Sequence, residues 1–293
     1  MSNKKDSLGD RMKENYENRS KTYLTRRTPV IIRLDGKAFH TFTRGMKKPY
    51  DEIFHNTMNA TMKYLCENIQ GCKLGYTQSD EITLLLTDYD TLSTDAWFDY
   101  NVQKICSVSA SMATMAFNKF LYGNVVEHLI QPEAREAIEK GLPVIPYVVD
   151  GYYGLVDSEK DYVQTLLQAV AKGAMFDSRC FNIPKEEVTN CLVWRQQDAT
   201  CNAIQMLGQC NFSHKELHGK SCNDIQDMLM LQKGINFNDM PTEFKRGVCC
   251  VKKEVPCTDR LIGYKLDWVL DKEIPIFTQD RDYVERTFKV KEN

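Results

Sequence analysis

Two acidic points lie far apart in the chain, and their residue types could do metal-assisted chemistry. Asp35 ends the apolar run in VIIRLDGKAFHTF (30–42), and Asp80-Glu81 interrupts GYTQSDEITLLL (75–86). A Val/Ile-rich run is a good buried strand, yet its last side chain is a carboxylate, which is costly to bury without a compensating cation. Taken alone, Asp-Gly after a strand is an ordinary solvated turn. A second acidic cluster brought beside it changes the reading, because adjacent carboxylates repel unless a cation lies between them. Hard oxygen donors of this kind suit Mg²⁺. Two such ions on shared carboxylates activate a hydroxyl and steady a leaving pyrophosphate. Gly36 would let the backbone come close to a ligand and offer its own carbonyl.

The elements that must position these points follow from pattern. Residues 8–24 read as a polar amphipathic helix and 30–35 as a strand. A helix over 50–70 shows apolar spacing at Ile53, Phe54, Met58, Met62 and Leu65. CKLGYTQSDEITLLL is a hairpin with its turn at Gln78-Ser79-Asp80-Glu81. A long helix over 94–121 and a strand within 173–183 complete a ferredoxin-like β-α-β-β-α-β unit, in which the first strand is central and beside the hairpin. Pro and Gly breaks mark 122–172 as an insertion. Helices are expected at 185–207, 213–218 and 221–233, and a strand at 245–253.

The 293 residues, 42% hydrophobic and 27% charged, are those of an ordinary globular protein. No apolar run approaches the roughly 18–20 residues of a membrane span, and the polar N-terminus is not a secretory signal. Eleven scattered cysteines, an odd number, predict free thiols in a reducing cytosol rather than disulfides. The net charge of −2 hides a local excess: residues 19–48 carry nine Lys and Arg against one acid, Asp35. A basic cluster on a near-neutral chain suits phosphate-bearing ligands.

RLDGKAFHTFTRGMKKPYD followed by GYTQSDEITLLL resembles the signature of the tRNA-histidine guanylyltransferase family, the 3′-to-5′ nucleotide polymerases. FDSR (176–179) and WRQQDATCNAI (194–204) extend the match over about 8–253. The resemblance implies an α/β (α+β) fold with a palm-like, ferredoxin-type core and an antiparallel sheet plus helical additions. It implies a catalytic domain over 1–253 with its insertion near 122–172, a C-terminal extension over 254–293, and a homo-tetramer. Asp35 and Asp80 would be ligands of two Mg²⁺ ions with the Gly36 carbonyl assisting, and Glu81 an acidic neighbour needed for activity. Lys48 and Asp51, in the stretch matching the family's KPND, would serve the nucleotide, with Lys48 on the triphosphate. Arg33, Lys37, Phe39, His40, Ser79 and Lys104 fall at or beside nucleotide positions. His40 is equally a packed ring. Arg195, Asn202 and Lys233 could touch RNA, or be solvated bases in the case of Arg195 and Lys233.

Two departures bear on substrate choice. Thr200 stands where the eukaryotic members have the histidine of HINN, and Asn101 replaces a basic residue after WF. This resembles the like-proteins of bacteria, archaea and viruses, which repair truncated tRNA 5′ ends against a template base. The implied function is a Mg²⁺-dependent, cytoplasmic nucleotidyltransferase that extends tRNA 5′ ends with GTP and ATP as substrates. The alternatives are a dedicated single-G tRNA-histidine guanylyltransferase, a palm-type nucleotide cyclase, and a non-catalytic RNA-binding module. Cys210, His214, His218 and Cys222, at intervals of four, invite a zinc reading. Ligands on one straight helix project along a stripe and cannot close a tetrahedron. Ser213 with Glu216 reads instead as a capping box and Gly219 as a helix stop.

Overall fold

Alternation of apolar residues along Val30–Leu34 sends Val30, Ile32 and Leu34 to one side of a sheet and Ile31 to the other, and every one of them is buried. In the computed structural model, which describes residues 7–129, 157–256 and 263–289, that segment is β1 (Val30–Gly36). The other strands are β2 (Cys72–Gln78), β3 (Glu81–Leu86), β4 (Phe176–Asn182), β5 (Val248–Pro256) and β6 (Tyr264–Asp271). They form one sheet of order β4-β1-β3-β2-β5-β6 with every neighbour antiparallel. Its first four members have the strand order of the expected ferredoxin-like unit. Two helices, α3 (Glu52–Asn68) and α4 (Val102–Leu129), cover one face through Met58, Met62, Leu65 and Phe117. The opposite face is covered by α6 (Lys185–Asn211) and α10 (Asp282–Phe288), through Val188, Leu192, Val284 and Phe288.

The remaining helices are α1 (Ser7–Asn15), α2 (Phe39–Phe42), α5 (Asp157–Lys172), α7 (His214–Leu217), α8 (Cys222–Lys233) and α9 (Thr242–Arg246). α1 stops well short of the expected 8–24 because it buries no residue, and a 3-10 turn at Glu17–Ser20 follows. The long helix expected at 94–121 starts only at Val102, since Phe98, Asp99 and Tyr100 have φ of 52°, 51° and 57°, outside the helical region. Most of the expected insertion, residues 130–156, lies outside the described residues. The stretch read as an extension supplies β6 and, through Ile274, Phe277 and α10, part of the core.

One expectation is overturned outright. Cys201 and Cys222 form a disulfide, with Cα atoms 6.0 Å apart. The capped turn at 213–217 folds α8 back along α6, so two cysteines that look unrelated in sequence become neighbours. The expected capping box of Ser213 and Glu216 is present, and Gly219 is left-handed at φ 73°. Among the described residues no group of three or more His, Cys, Asp or Glu side chains is placed to hold a metal ion.

Candidate active site

Register places the carboxylates. Asp35 lies opposite Glu81 of β3 on one side and opposite Asp177 of β4 on the other. Residues paired this way point to the same face, with Cβ atoms about 4.5–5.5 Å apart. Three carboxylates therefore stand in a row across adjacent strands, on the face that α6 covers. Asp80 joins them from the hairpin turn, where Gln78 and Glu81 pair and Ser79-Asp80 form a two-residue loop. Ser79 takes the φ of 53° such a loop needs, and its hydroxyl donates to Asp80 Oδ1 at 3.1 Å. The Gly36 N–H donates to the Asp80 carbonyl at 3.1 Å, tying the end of β1 to that turn.

Gly36 has a packing reason that the sequence did not disclose. A Cβ there would meet the Phe39 ring at 2.3 Å. Phe39, 3% exposed, packs against Phe42, Phe54, Phe117 and Phe176, so the glycine admits an aromatic cluster directly beneath Asp35.

The carboxylates differ in their counter-ions. Glu81 is gripped from two sides. Arg33 Nη2 donates to Oε2 at 2.7 Å and Nε to Oε1 at 3.2 Å. Arg195 Nη2 donates to Oε2 at 2.9 Å, while its Nε lies 2.7 Å from Oε1 but off line for a hydrogen bond. Trp194 stacks under both guanidiniums, 5.1 Å from Arg33 and 4.5 Å from Arg195. Asp177 is met by Arg179 at 2.9 Å, and the same Nη2 is 3.9 Å from Asp35. Burial, then the charges of Glu81 and Asp177, push the Asp35 carboxyl above the usual range. Asp80 is also pushed up, by burial and by Asp35 and Glu81, against the hydrogen bonds from its own backbone and Ser79. Two oxygen-only side chains made unfavourable as anions, of which only Asp35 has a cation within 4 Å and that one shared with Asp177, are a donor pair that fits a hard divalent cation.

A cavity of about 540 Å³ adjoins Asp80 at the end of the sheet. Of the residues singled out in the sequence it takes in Phe39, His40, Lys48, Asp51, Ser79, Asp80 and Asn202. Arg44 and Lys47 add positive charge, and Tyr50, stacked on Phe244 at 4.2 Å, adds an aromatic wall. The Asp51 carboxylate is fully engaged within the protein. It caps α3 at the Phe54 N–H and accepts from the Lys47 N–H and the Tyr162 hydroxyl. That arrangement fixes the loop carrying Lys47 and Lys48.

Asp35, Gly36 and Glu81 stand beside this cavity rather than in its lining, and Asp80 links the two groups. Others lie apart from the lining. Lys37 is exposed. Lys104 sits over Phe98 at 5.8 Å near the start of α4, and Lys233 over Phe212 at 5.3 Å. Arg33 and Arg195 serve Glu81, so Arg195, only 9% exposed, is neither a solvated base nor a free RNA contact. Much of the basic 19–48 stretch is likewise consumed, with Arg26 on Asp88 at 2.8 Å and on Asp99 at 2.8 Å.

Sequence reasoning missed Asp177, Arg179, His55, Glu243 and Phe244. FDSR contained the first two, but only the β1–β4 register puts Asp177 opposite Asp35. His55 contacts Glu243 at 2.7 Å in the cavity wall; burial holds the imidazole below its usual pKa, and Lys272 and His55 hold the Glu243 carboxyl low.

A family model described as "Thg1: tRNAHis guanylyltransferase" matches residues 9–184. The chain is 27% identical over 271 residues to an uncharacterized protein of Acanthamoeba polyphaga mimivirus, covering 87% of this chain and 80% of that one. It is 27% identical over 240 residues to the tRNA(His) guanylyltransferase of Saccharomyces cerevisiae, covering 76% and 82%. Among solved structures it is similar to a bacterial tRNA(His) guanylyltransferase-like protein in complex with ATP, at 40% identity and a TM-score of 0.73, covering 97% of this chain and 100% of that one. The corresponding GTP complex aligns at 37% identity and a TM-score of 0.69, covering 96% and 99%.

Proposed function

The chain belongs to the tRNA(His) guanylyltransferase family, whose members are nucleotidyltransferases, and from that premise we propose that it extends the 5′ end of tRNA in the 3′-to-5′ direction, dependent on Mg²⁺ and using GTP and ATP. The observation that carries this reading is the Asp35–Asp80 pair beside a basic cavity of nucleotide size. The bound ATP and GTP of the two bacterial relatives point the same way.

In the proposed reaction a 5′-monophosphate end is first activated with ATP, or a triphosphate end is used directly. The 3′-hydroxyl of the incoming nucleotide then attacks the 5′ phosphate nearest the RNA and forms the new phosphodiester. It displaces AMP from an end that ATP has adenylylated (with earlier release of pyrophosphate), or pyrophosphate from a triphosphate end. Asp35 and Asp80, with the Gly36 carbonyl, would hold Mg²⁺, which Mg²⁺ sites of this type complete with substrate phosphate oxygens. When bound, the ions lower the cost of deprotonating the 3′-hydroxyl and neutralise the leaving phosphates. Lys48, with Arg44 and Lys47, holds the triphosphate by charge-assisted contacts. Tyr50 and Phe244 offer an apolar wall for a base. Glu81 orients the end of β3, and hence Asp80, through Arg33 and Arg195.

No helix among the described residues is long and apolar enough to cross a membrane. Action on tRNA in the cytoplasm and assembly as a homo-tetramer are parts of the same proposal. The edge strand β6 leaves Tyr264 and Leu266 facing solvent, 73% and 69% exposed, as surface it could use.

Thr200 decides between templated repair and single-G addition. A threonine offers a short hydroxyl, here spent on the Gln196 carbonyl at 2.9 Å, in place of a ring that could stack on a base. The template base opposite the growing end would then choose the nucleotide. The test compares kcat/KM on several 5′-truncated tRNAs and on full-length histidine tRNA, in one buffer because RNA affinity depends on salt. Template-following addition to the truncated substrates is expected. Strong preference for full-length histidine tRNA would move the protein to the single-G activity, and a cyclic product from GTP alone to a cyclase.

A further inference from the structure

On the far side of the α6–α9 crossing lies a second cavity, of about 320 Å³. The two helices divide their side chains between the spaces: Asn202, Glu243 and Phe244 face the first, Thr200, Lys245 and Arg246 the second. Lys245 is 9% exposed. Its ammonium donates to the Asn238 carbonyl at 2.5 Å and, among the described residues, meets no carboxylate at ion-pair distance. Arg246 beside it has no side-chain ion pair there either, while its carbonyl accepts from the Tyr76 hydroxyl at 2.8 Å. An ammonium has three donors, and a buried cation answered by one neutral carbonyl is costly. The exposed Gln197 and the half-buried Gln226 also line the cavity.

We propose that this second cavity binds a phosphoryl group. Its donors are an ammonium, a planar guanidinium fork and neutral amides. Together they match an anion with several oxygens spread about one centre. Entry of that anion supplies the charge Lys245 lacks. The group could be the polyphosphate of a free nucleotide or a phosphate of RNA. The site is separate from the Asp35–Asp80 pair and stands whatever reaction occurs there.

The test uses the full chain, with inorganic pyrophosphate as the probe and thermal unfolding as the readout. Lys48→Ala serves as background so that the first cavity contributes less. Pyrophosphate should raise the Tm of Lys48→Ala but not of Lys48→Ala/Lys245→Met, with affinity about ten- to a hundredfold lower in the double variant. Without anion, Lys245→Met should raise the Tm, since it removes an unanswered buried charge. If ATP reproduces the pyrophosphate effect, the source is a free nucleotide. If the variant instead loses affinity for 5′-phosphorylated tRNA, with a shallower salt dependence, the source is RNA. Unchanged binding of pyrophosphate, ATP and tRNA would overturn the proposal. Should Lys245→Met not fold, Arg246→Gln carries the same comparison, because its guanidinium makes no ion pair among the described residues.

Discussion

Asp35 lies directly opposite Glu81 in the β1–β3 register, yet the two carboxylates have opposite electrostatic circumstances. Glu81 has two guanidiniums within 2.7 Å, while the nearest cation to Asp35 is Arg179, 3.9 Å away and closer to Asp177. The protein neutralises Glu81 with two close guanidiniums and gives Asp35 only a long, shared contact with Arg179. That asymmetry is the ground for the proposed division between a structural carboxylate, Glu81, and a pair that would bind metal.

Asp35→Asn and Asp80→Asn should each abolish nucleotide addition while leaving the metal-free fold as stable or more so. The sign follows from linkage. Both carboxyls are raised in the folded state, so the folded protein binds protons more readily than the unfolded chain. Stability is then lost as pH rises above the ordinary Asp value near 3.9 and through the raised folded values. The variants should flatten that loss, and Mg²⁺ should restore stability at neutral pH in the wild type only. Urea titrations across pH, with and without Mg²⁺, check this; turnover in either variant at saturating Mg²⁺ would remove the metal assignment.

Glu81→Gln should behave in the opposite way. It leaves Arg33 and Arg195, side chains 18% and 10% exposed, without their shared anion. Breaking a largely buried pair from one side costs about 2–4 kcal/mol, somewhat below the fully buried case. The midpoint of urea unfolding should fall for Glu81→Gln and hold for Asp35→Asn. Equal stability of the two would refute the division of roles.

Gly36→Ala should destabilise by roughly 1–3 kcal/mol, the usual cost of overpacking. Its Cβ would sit 2.3 Å from the Phe39 ring. Adding Phe39→Leu should recover part of the loss, whereas a glycine needed only for ligand approach would show no rescue. Calorimetry on the single and double variants distinguishes the two.

Lys48→Ala should raise the KM for GTP about ten- to a hundredfold, the value of one lost charge-assisted contact of 1.5–3 kcal/mol. Affinity for tRNA should change little. A variant that loses RNA binding with unaltered GTP dependence would relocate Lys48 to the RNA.

The sequence by itself determined five of the six strands, the two long helices packed on them, and the pair of acidic points. Period-2 burial in VIIRL and ITLLL, and apolar spacing in 52–68, are local signals that packing only reinforces. The β-α-β-β-α-β order of these elements, read as a ferredoxin-like unit, sets β1 beside the hairpin, so the approach of Asp35 to Asp80 was expected from the sequence of elements. Charge partnership was not. Arg33, two residues before Asp35, reads as a base near phosphate, but alternation and register turn it to Glu81, and Arg195 arrives from a helix more than a hundred residues later. The row through Asp177, the Cys201–Cys222 disulfide, the sixth strand and the buried Lys245 each depend on which distant segment packs alongside. The energies that select those neighbours reside in contacts between segments, which no local pattern in either segment encodes.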